Sequence, residues 1–339
     1  MDLDNRKRLI LQAVIDSYIR TGEPVGSKFL SHLDFLKVSS ATIRNEMSEL
    51  ERMGYLTKPH TSAGRIPSND GYRYYVRTSM DSYRLTDEEI EQLMLPNDCA
   101  GLYQTVHAVA SRLAEFLGFT VFAVSPSCSG GVYTFEVLPA GKHVCAVLAI
   151  SSVGGVKTAF AKTEKEICME DARKFASILN EILSKFPIGQ IGNVRMMLLS
   201  GAVARECPNC VGLLDAVKQL VEQLKSYELM VCGSENLFSY PEFSGIEAAK
   251  SYIHLLSAQE RILEVLLSSG GKSDNPDIKI GDENPVFRNP YASMISIGSD
   301  SKIPVVLGVM GPTRMNYART VAGCRFLINT LKNIIDEEY

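Results

Sequence analysis

Ile43, Met47 and Leu50 stand at i, i+4 and i+7 in the run KVSSATIRNEMSELERMGYLTKPHTSAGRIPSNDGYRYYV, residues 37–76. That spacing puts all three on one side of a helix, which must be buried. Ser39 or Ser40 is a good N-cap, and Gly54 marks the helix end. Ala41, Thr42, Arg44, Asn45, Ser48 and Arg52 then lie off the apolar stripe, near the helix start or facing outward. Ahead of this helix, residues 5–20 carry Leu9, Ala13, Val14 and Tyr18 at helical spacing, closed by Thr21-Gly22 and Pro24. Ser27 can cap a short second helix over 28–33, and 34–38 is a brief link to the third. Behind it, 54–58 reads as a strand, 60–64 as a turn and 65–67 as a returning strand. Two helices, a tight link, a polar-edged third helix and a hairpin make a helix-turn-helix with a wing.

The chemistry of that edge is the chemistry of base edges. A helix in the major groove brings Arg to guanine O6/N7 and Asn to adenine N6/N7, while Ser and Thr serve phosphate or base. Thr42, Arg44 and Asn45 are therefore the base-reading candidates, with Ser39 and Ser40 beside them at the helix start. Lys58, His60, Thr61, Ser62 and Arg65, around a flexible Ala63-Gly64, suit a phosphate or minor-groove contact. Charge is distributed in the same sense. Residues 1–84 hold 13 Lys and Arg against 10 Asp and Glu, a net of +3, and since the whole chain is −4 the remainder carries −7. A mildly basic head on an acidic body fits one DNA-contacting module.

The remaining 255 residues are long enough for real cores. An acidic segment, 86–92, and Pro96-Asn97-Asp98 read as a linker, followed by a helix over 105–117 and a strand over 119–124. The run PSCSGG, 126–131, has loop composition. Strand-like runs at 132–138, 144–150 and 156–161 alternate with Gly turns, and helical segments continue to about Tyr227. A strand at 229–232, a helix over 246–267, strands near 277–280, 294–297 and 305–310, and a last helix from Asn316 to about Ile335 complete a mixed α/β, sensor-like domain.

Other chemistries lack residues. The N-terminus has no apolar signal core and no run of 18 apolar residues occurs, so the expectation is a cytoplasmic protein that does not enter the membrane. Eight scattered cysteines are no disulfide framework. Cys207-Pro208-Asn209-Cys210 is a single CxxC; zinc needs two further ligands, and no thioredoxin-like strand precedes the pair. The five His are dispersed and no Ser/His/Asp or Cys/His set assembles, so no enzyme, metal or cofactor is expected. Gly311-Pro312-Thr313-Arg314 between a strand and a helix is read as backbone geometry, because GxxxxGK[ST] and GxGxxG are both absent.

The strings VSSATIRNEM, LERMGYLTKPHTSAGRIPSNDGYRYYV, ENLFSYPEF and GVMGPTRMNYARTV resemble the signature blocks of the HrcA family, the bacterial heat-inducible transcription repressors. The resemblance runs from the first helix to the last. It implies a multidomain α+β chain: a winged helix-turn-helix, then a GAF-like α/β domain interrupted by an inserted α+β dimerisation domain. On this sequence the units are expected at 1–84, 85–130 with 228–339, and 131–227. It also implies a negative regulator of class I heat-shock (chaperone) operons that binds double-stranded DNA as a homodimer, at the inverted repeat called CIRCE, and is tuned by the chaperonin GroEL. The alternative expectation is a metabolite-sensing winged-helix regulator with a small ligand in the GAF-like domain. Apolar predominance around 294–297 and 305–310 favours a filled core and the first reading.

Overall fold

The computed structural model describes residues 3–60, 63–79, 83–96, 101–127, 133–151, 155–186, 188, 191–269, 271–284 and 291–338. The fold is mixed α and β. At its head, α1 (Asn5–Thr21) is capped by Asp4, whose carboxylate accepts from the Lys7 amide, and ends on Gly22 at φ +70. α2 (Ser27–Leu30) and α3 (Ser40–Arg52) pack on α1 and on each other. The Ser39 hydroxyl caps α3, accepting from the Thr42 amide at 3.2 Å. Ile43, Met47 and Leu50 are buried as their spacing requires. β1 (Leu56–Thr57) and β2 (Ile66–Pro67) form an antiparallel hairpin. Val25 bridges to Arg65 beside it, each amide donating to the other's carbonyl at 2.8 and 2.9 Å. Gly64 is required there, since a Cβ would strike the Val25 carbonyl.

α4 (Asn69–Ser79) carries the chain to the body. α5 (Asp87–Leu93) and α6 (Leu102–Leu117) follow. The body is built on a five-stranded antiparallel sheet whose strands are β3 (Thr120–Pro126), β7 (Tyr227–Cys232), β8 (Asp277–Ile280), β9 (Ala292–Gly298) and β10 (Val306–Pro312), in the order β7-β3-β10-β9-β8. α6 and the last helix, α12 (Tyr317–Glu338), lie together over the sheet, closely enough that Gly323 approaches Leu113 and Phe116. α10 (Ile246–Ser257) and α11 (Gln259–Ser269) intervene between β7 and β8; Gly308 leaves the room that Leu266 of α11 occupies.

Between β3 and β7 the chain makes a second unit. β4 (Tyr133–Gly141), β5 (Val144–Ser151) and β6 (Val156–Lys162) form an antiparallel meander, followed by α7 (Met169–Ile182), α8 (Asn193–Glu206) and α9 (Leu214–Lys225). α7 and α9 cover one face of this sheet. Asn180 of α7 locks the packing: its amide accepts from the Phe135 N–H at 2.7 Å and donates to the Phe135 carbonyl at 2.8 Å. The insert has its own apolar core, while head and body share a single one.

The elements differ from the sequence expectations in instructive places. The second helix starts at Ser27, not Lys28, and stops at Leu30; Ser27 is its first helical residue, so the N-cap position falls to Gly26, and the Ser27 hydroxyl contacts that of Ser40 at 3.1 Å instead. The acidic 86–92 segment is a helix, α5, held by a capping box between Thr86 and Glu89. The expected helix over 246–267 is two, broken at Ala258 (φ −91, ψ 52). No Gly or Pro lies there; the cause is tertiary, α10 packing on the Pro241–Phe243 turn and α11 on the central sheet. The last helix begins at Tyr317, after Asn316 accepts from the Arg319 amide, and runs on to Glu338. Most of the 126–131 loop expectation lies outside the described residues, as do Asn97 and Asp98.

Candidate nucleic-acid interface

α3 carries three carboxylates, and each is held by a cation. Glu46 and Glu49 share Lys7 of α1, at 3.0 and 2.8 Å; Arg6 lies 3.6 Å from Glu46 and Arg52 3.3 Å from Glu49. Glu51 pairs with Arg65 at 2.8 Å and Lys58 at 3.5 Å. Hydrogen bonds to Glu49, Asp4 and Glu46 hold the Lys7 ammonium well above its ordinary pKa. Contact with Lys7 lowers the Glu49 carboxyl in return.

What remains on the leading edge is uncompensated. Arg44 and Asn45 are exposed, and Arg44 has no ion-pair partner among the described residues. The helix start is preset: the hydroxyls of Ser39 and Thr42 lie 2.9 Å apart and that of Ser40 meets Ser27. A cleft of about 180 Å³ beside this edge is lined by Val25, Gly26, Ser27, Arg44, Met47, Ala63, Gly64 and Arg65. An exposed arginine, a planar amide and an array of hydroxyls on a rigid helix form a surface for hydrogen bonding to base edges and phosphates.

The hairpin residues are not equivalent. Lys58 and His60 are exposed. Arg65 is largely enclosed, its side chain 13% exposed and its guanidinium committed to Glu51. Thr61 and Ser62 lie outside the described residues. Sequence reasoning passed over Lys28, next to the Ser27–Ser40 contact, and Lys37, exposed in the link ahead of α3 at φ +42. Their positive charge was visible; the turn that brings them to the start of α3 was not.

Comparison with known proteins falls on the same chain. The family profile described as the HrcA protein C-terminal domain matches residues 103–321. The heat-inducible transcription repressor HrcA of Acetivibrio thermocellus is 34% identical over 341 residues, covering 99% of this chain and 97% of that protein. That of Moorella thermoacetica is 33% identical over 349 residues, covering 100% of each. That of Halalkalibacterium halodurans is 31% identical, with 99% of each covered. A crystal structure described only as that of a hypothetical protein superposes with a TM-score of 0.67 at 21% identity, over 99% of both chains. That last likeness is one of fold.

Proposed function

Because this chain belongs to the HrcA family, the heat-inducible transcription repressors, we propose that it represses chaperone operons by laying α3 in the major groove of an inverted-repeat operator, CIRCE, as a homodimer. The observation that carries the reading is the sorting of charge on α3: each carboxylate is paired with a cation, and Arg44 stands exposed with no ion-pair partner among the described residues, beside the exposed amide of Asn45. In this reading residues 1–84 are a winged helix, the hairpin is the wing, and Lys58 and His60 touch phosphate. The sheet of 85–130 and 228–339 is the GAF-like domain. Residues 131–227 are the dimerisation domain, in the cytoplasm as DNA access requires.

Two features support the assembly. The insert sheet has its helices on one face only, and the other face leaves Leu138, Ile150, Val156 and Phe160 exposed. α8 likewise exposes Val194, Met197 and Leu198. Apolar surface of this extent marks an interface. A two-fold dimer needs a two-fold site, which accounts for an inverted repeat. The chaperonin GroEL, as the family resemblance implies, tunes how much active repressor is available. The body sheet is packed with Met294, Ile295, Ile297, Leu307 and Val309, which favours a structural body over a metabolite sensor. Mapping genomic binding sites before and after heat shock tests the proposal: occupancy should concentrate at chaperone operons and fall on heating, and sites elsewhere would overturn it.

A further inference from the structure

Cys207 and Cys210 lie in the insert, away from the DNA-facing edge. Cys207 ends α8, and at φ −142, ψ 62 the chain turns there into the 3-10 segment Pro208–Leu213. The Cys210 amide donates to the Cys207 carbonyl at 2.9 Å. That turn brings the two sulfurs to 3.1 Å. Both also approach the Asp171 carbonyl, at 3.6 and 3.7 Å, while Asn209 between them donates to the Asp171 carboxylate at 3.2 Å. The pair is therefore fixed on α7 from both sides. It sits in the insert core, with Cys207 2% and Cys210 0% exposed. Among the described residues no group of three or more His, Cys, Asp or Glu could hold a metal. Two thiols in contact, with no third ligand beside them among the described residues, are placed to form a disulfide.

We propose that Cys207 and Cys210 are a reversible modification site, oxidised in place to a disulfide by a hydroperoxide. The thiolate of one cysteine attacks the O–O bond, which breaks; the sulfur keeps one oxygen as a sulfenic acid, and the other leaves as water, or as an alcohol from an organic peroxide, taking up the thiol's proton. The second thiol then attacks the sulfenic sulfur, the S–S bond forms, the S–O bond breaks and water departs. The dithiol gives up two electrons and two protons, and the peroxide is reduced by two electrons. A disulfide needs the sulfurs at roughly 2.05 Å, about 1 Å closer than they stand, a change that side-chain rotation supplies. Burial and the neighbouring Cys207 push the Cys210 thiol up, so the pair rests reduced and reacts slowly. A loop this short removes little chain entropy when closed, which leaves the bond easy to reduce again.

The test uses the intact protein and hydrogen peroxide. Cleavage after Arg205 and Lys218 yields a tryptic peptide, 206–218, that holds both cysteines and no other. After peroxide and alkylation in denaturant, this peptide should lose both alkylation sites and weigh two hydrogens less, and dithiothreitol should restore it. In Cys210→Ser the reaction should halt at a sulfenic acid on Cys207 that a dimedone-type trap labels. The wild-type peptide decides the matter even if that variant fails to fold. Full alkylation of both cysteines after peroxide doses and times far beyond those that fully oxidise the exposed Cys168 would overturn the proposal. So would pairing with other cysteines, or stoichiometric zinc released from the purified protein by thiol modification.

Discussion

Arg44 and Glu51 do opposite work on one helix. Arg44 faces outward without a counter-ion among the described residues, so in the proposed base-reading role Arg44→Ala should weaken operator binding by about 1–3 kcal/mol, leave scrambled duplex nearly unaffected and relax discrimination at one position per half-site. Titration against both duplexes reads this directly, and equal losses on the two would make Arg44 a phosphate contact. Glu51, by contrast, occupies Arg65 and Lys58. Glu51→Gln should free both and remove a charge repelled by DNA. Operator and scrambled duplex should then both bind tighter by roughly fivefold at low salt, the equivalent of about 1 kcal/mol of relieved electrostatic competition. Added salt should erase the gain. At this scale the stripe of Ile43, Met47 and Leu50 and the Ser39 cap were legible in sequence, because helical period and capping are local. Arg65 was legible only as a wing cation. Its partner lies 14 positions back on α3, and no local rule pairs them.

Among the elements, α5 shows a local signal that went unread and a distant contact that no sequence reveals. Thr86 and Glu89 are a capping box within the acidic run whose charge reads as a linker. The same Glu89 accepts from the Arg319 Nε of α12 at 2.7 Å and from the Tyr83 hydroxyl at 2.8 Å. Burial would raise its carboxyl, but the hydrogen bonds from Arg319, Tyr83 and the Thr86 amide outweigh it and the pKa is lowered. A lowered carboxylate stabilises the fold above the ordinary Glu range, about 4.3, and loses that contribution as pH falls through its folded value. Melting temperatures between pH 7 and 3 should therefore drop more steeply in the wild type than in Glu89→Gln, the two curves converging in acid. Parallel curves would mean that the pair is inert. The break at Ala258 was illegible for another reason: the apolar period continues across it through Leu255 and Ile262, and only the two packing surfaces disagree.

Over the whole molecule the contrast is between one shared core and one separate core. Because the insert is complete in itself, it can associate without disturbing the rest. Phe160, 65% exposed on its open sheet face, is a point of attack. In the proposed homodimer, Phe160→Asp should shift the protein from dimer to monomer in light scattering with its circular dichroism unchanged, and the monomer should bind a half-site weakly. A variant that stays dimeric would move the interface to α8 or to the body. The head has no such independence. Arg73 of α4 donates to the Ile278 carbonyl at 3.0 Å and pairs with Glu283, the Tyr72 and Tyr317 rings meet at 5.9 Å, and Arg314, paired with Glu242 at 2.5 Å, lies against Gly22 at the end of α1. These contacts hold the head, and with it the proposed reading helix, against the body. Such a repressor gauges the gap between half-sites as a caliper does: one extra base pair turns the second half-site by about 34°, which a rigid pair of jaws cannot follow. Operators differing only in spacer length should therefore lose nearly all specific binding at a single insertion, whereas a tethered head would tolerate it.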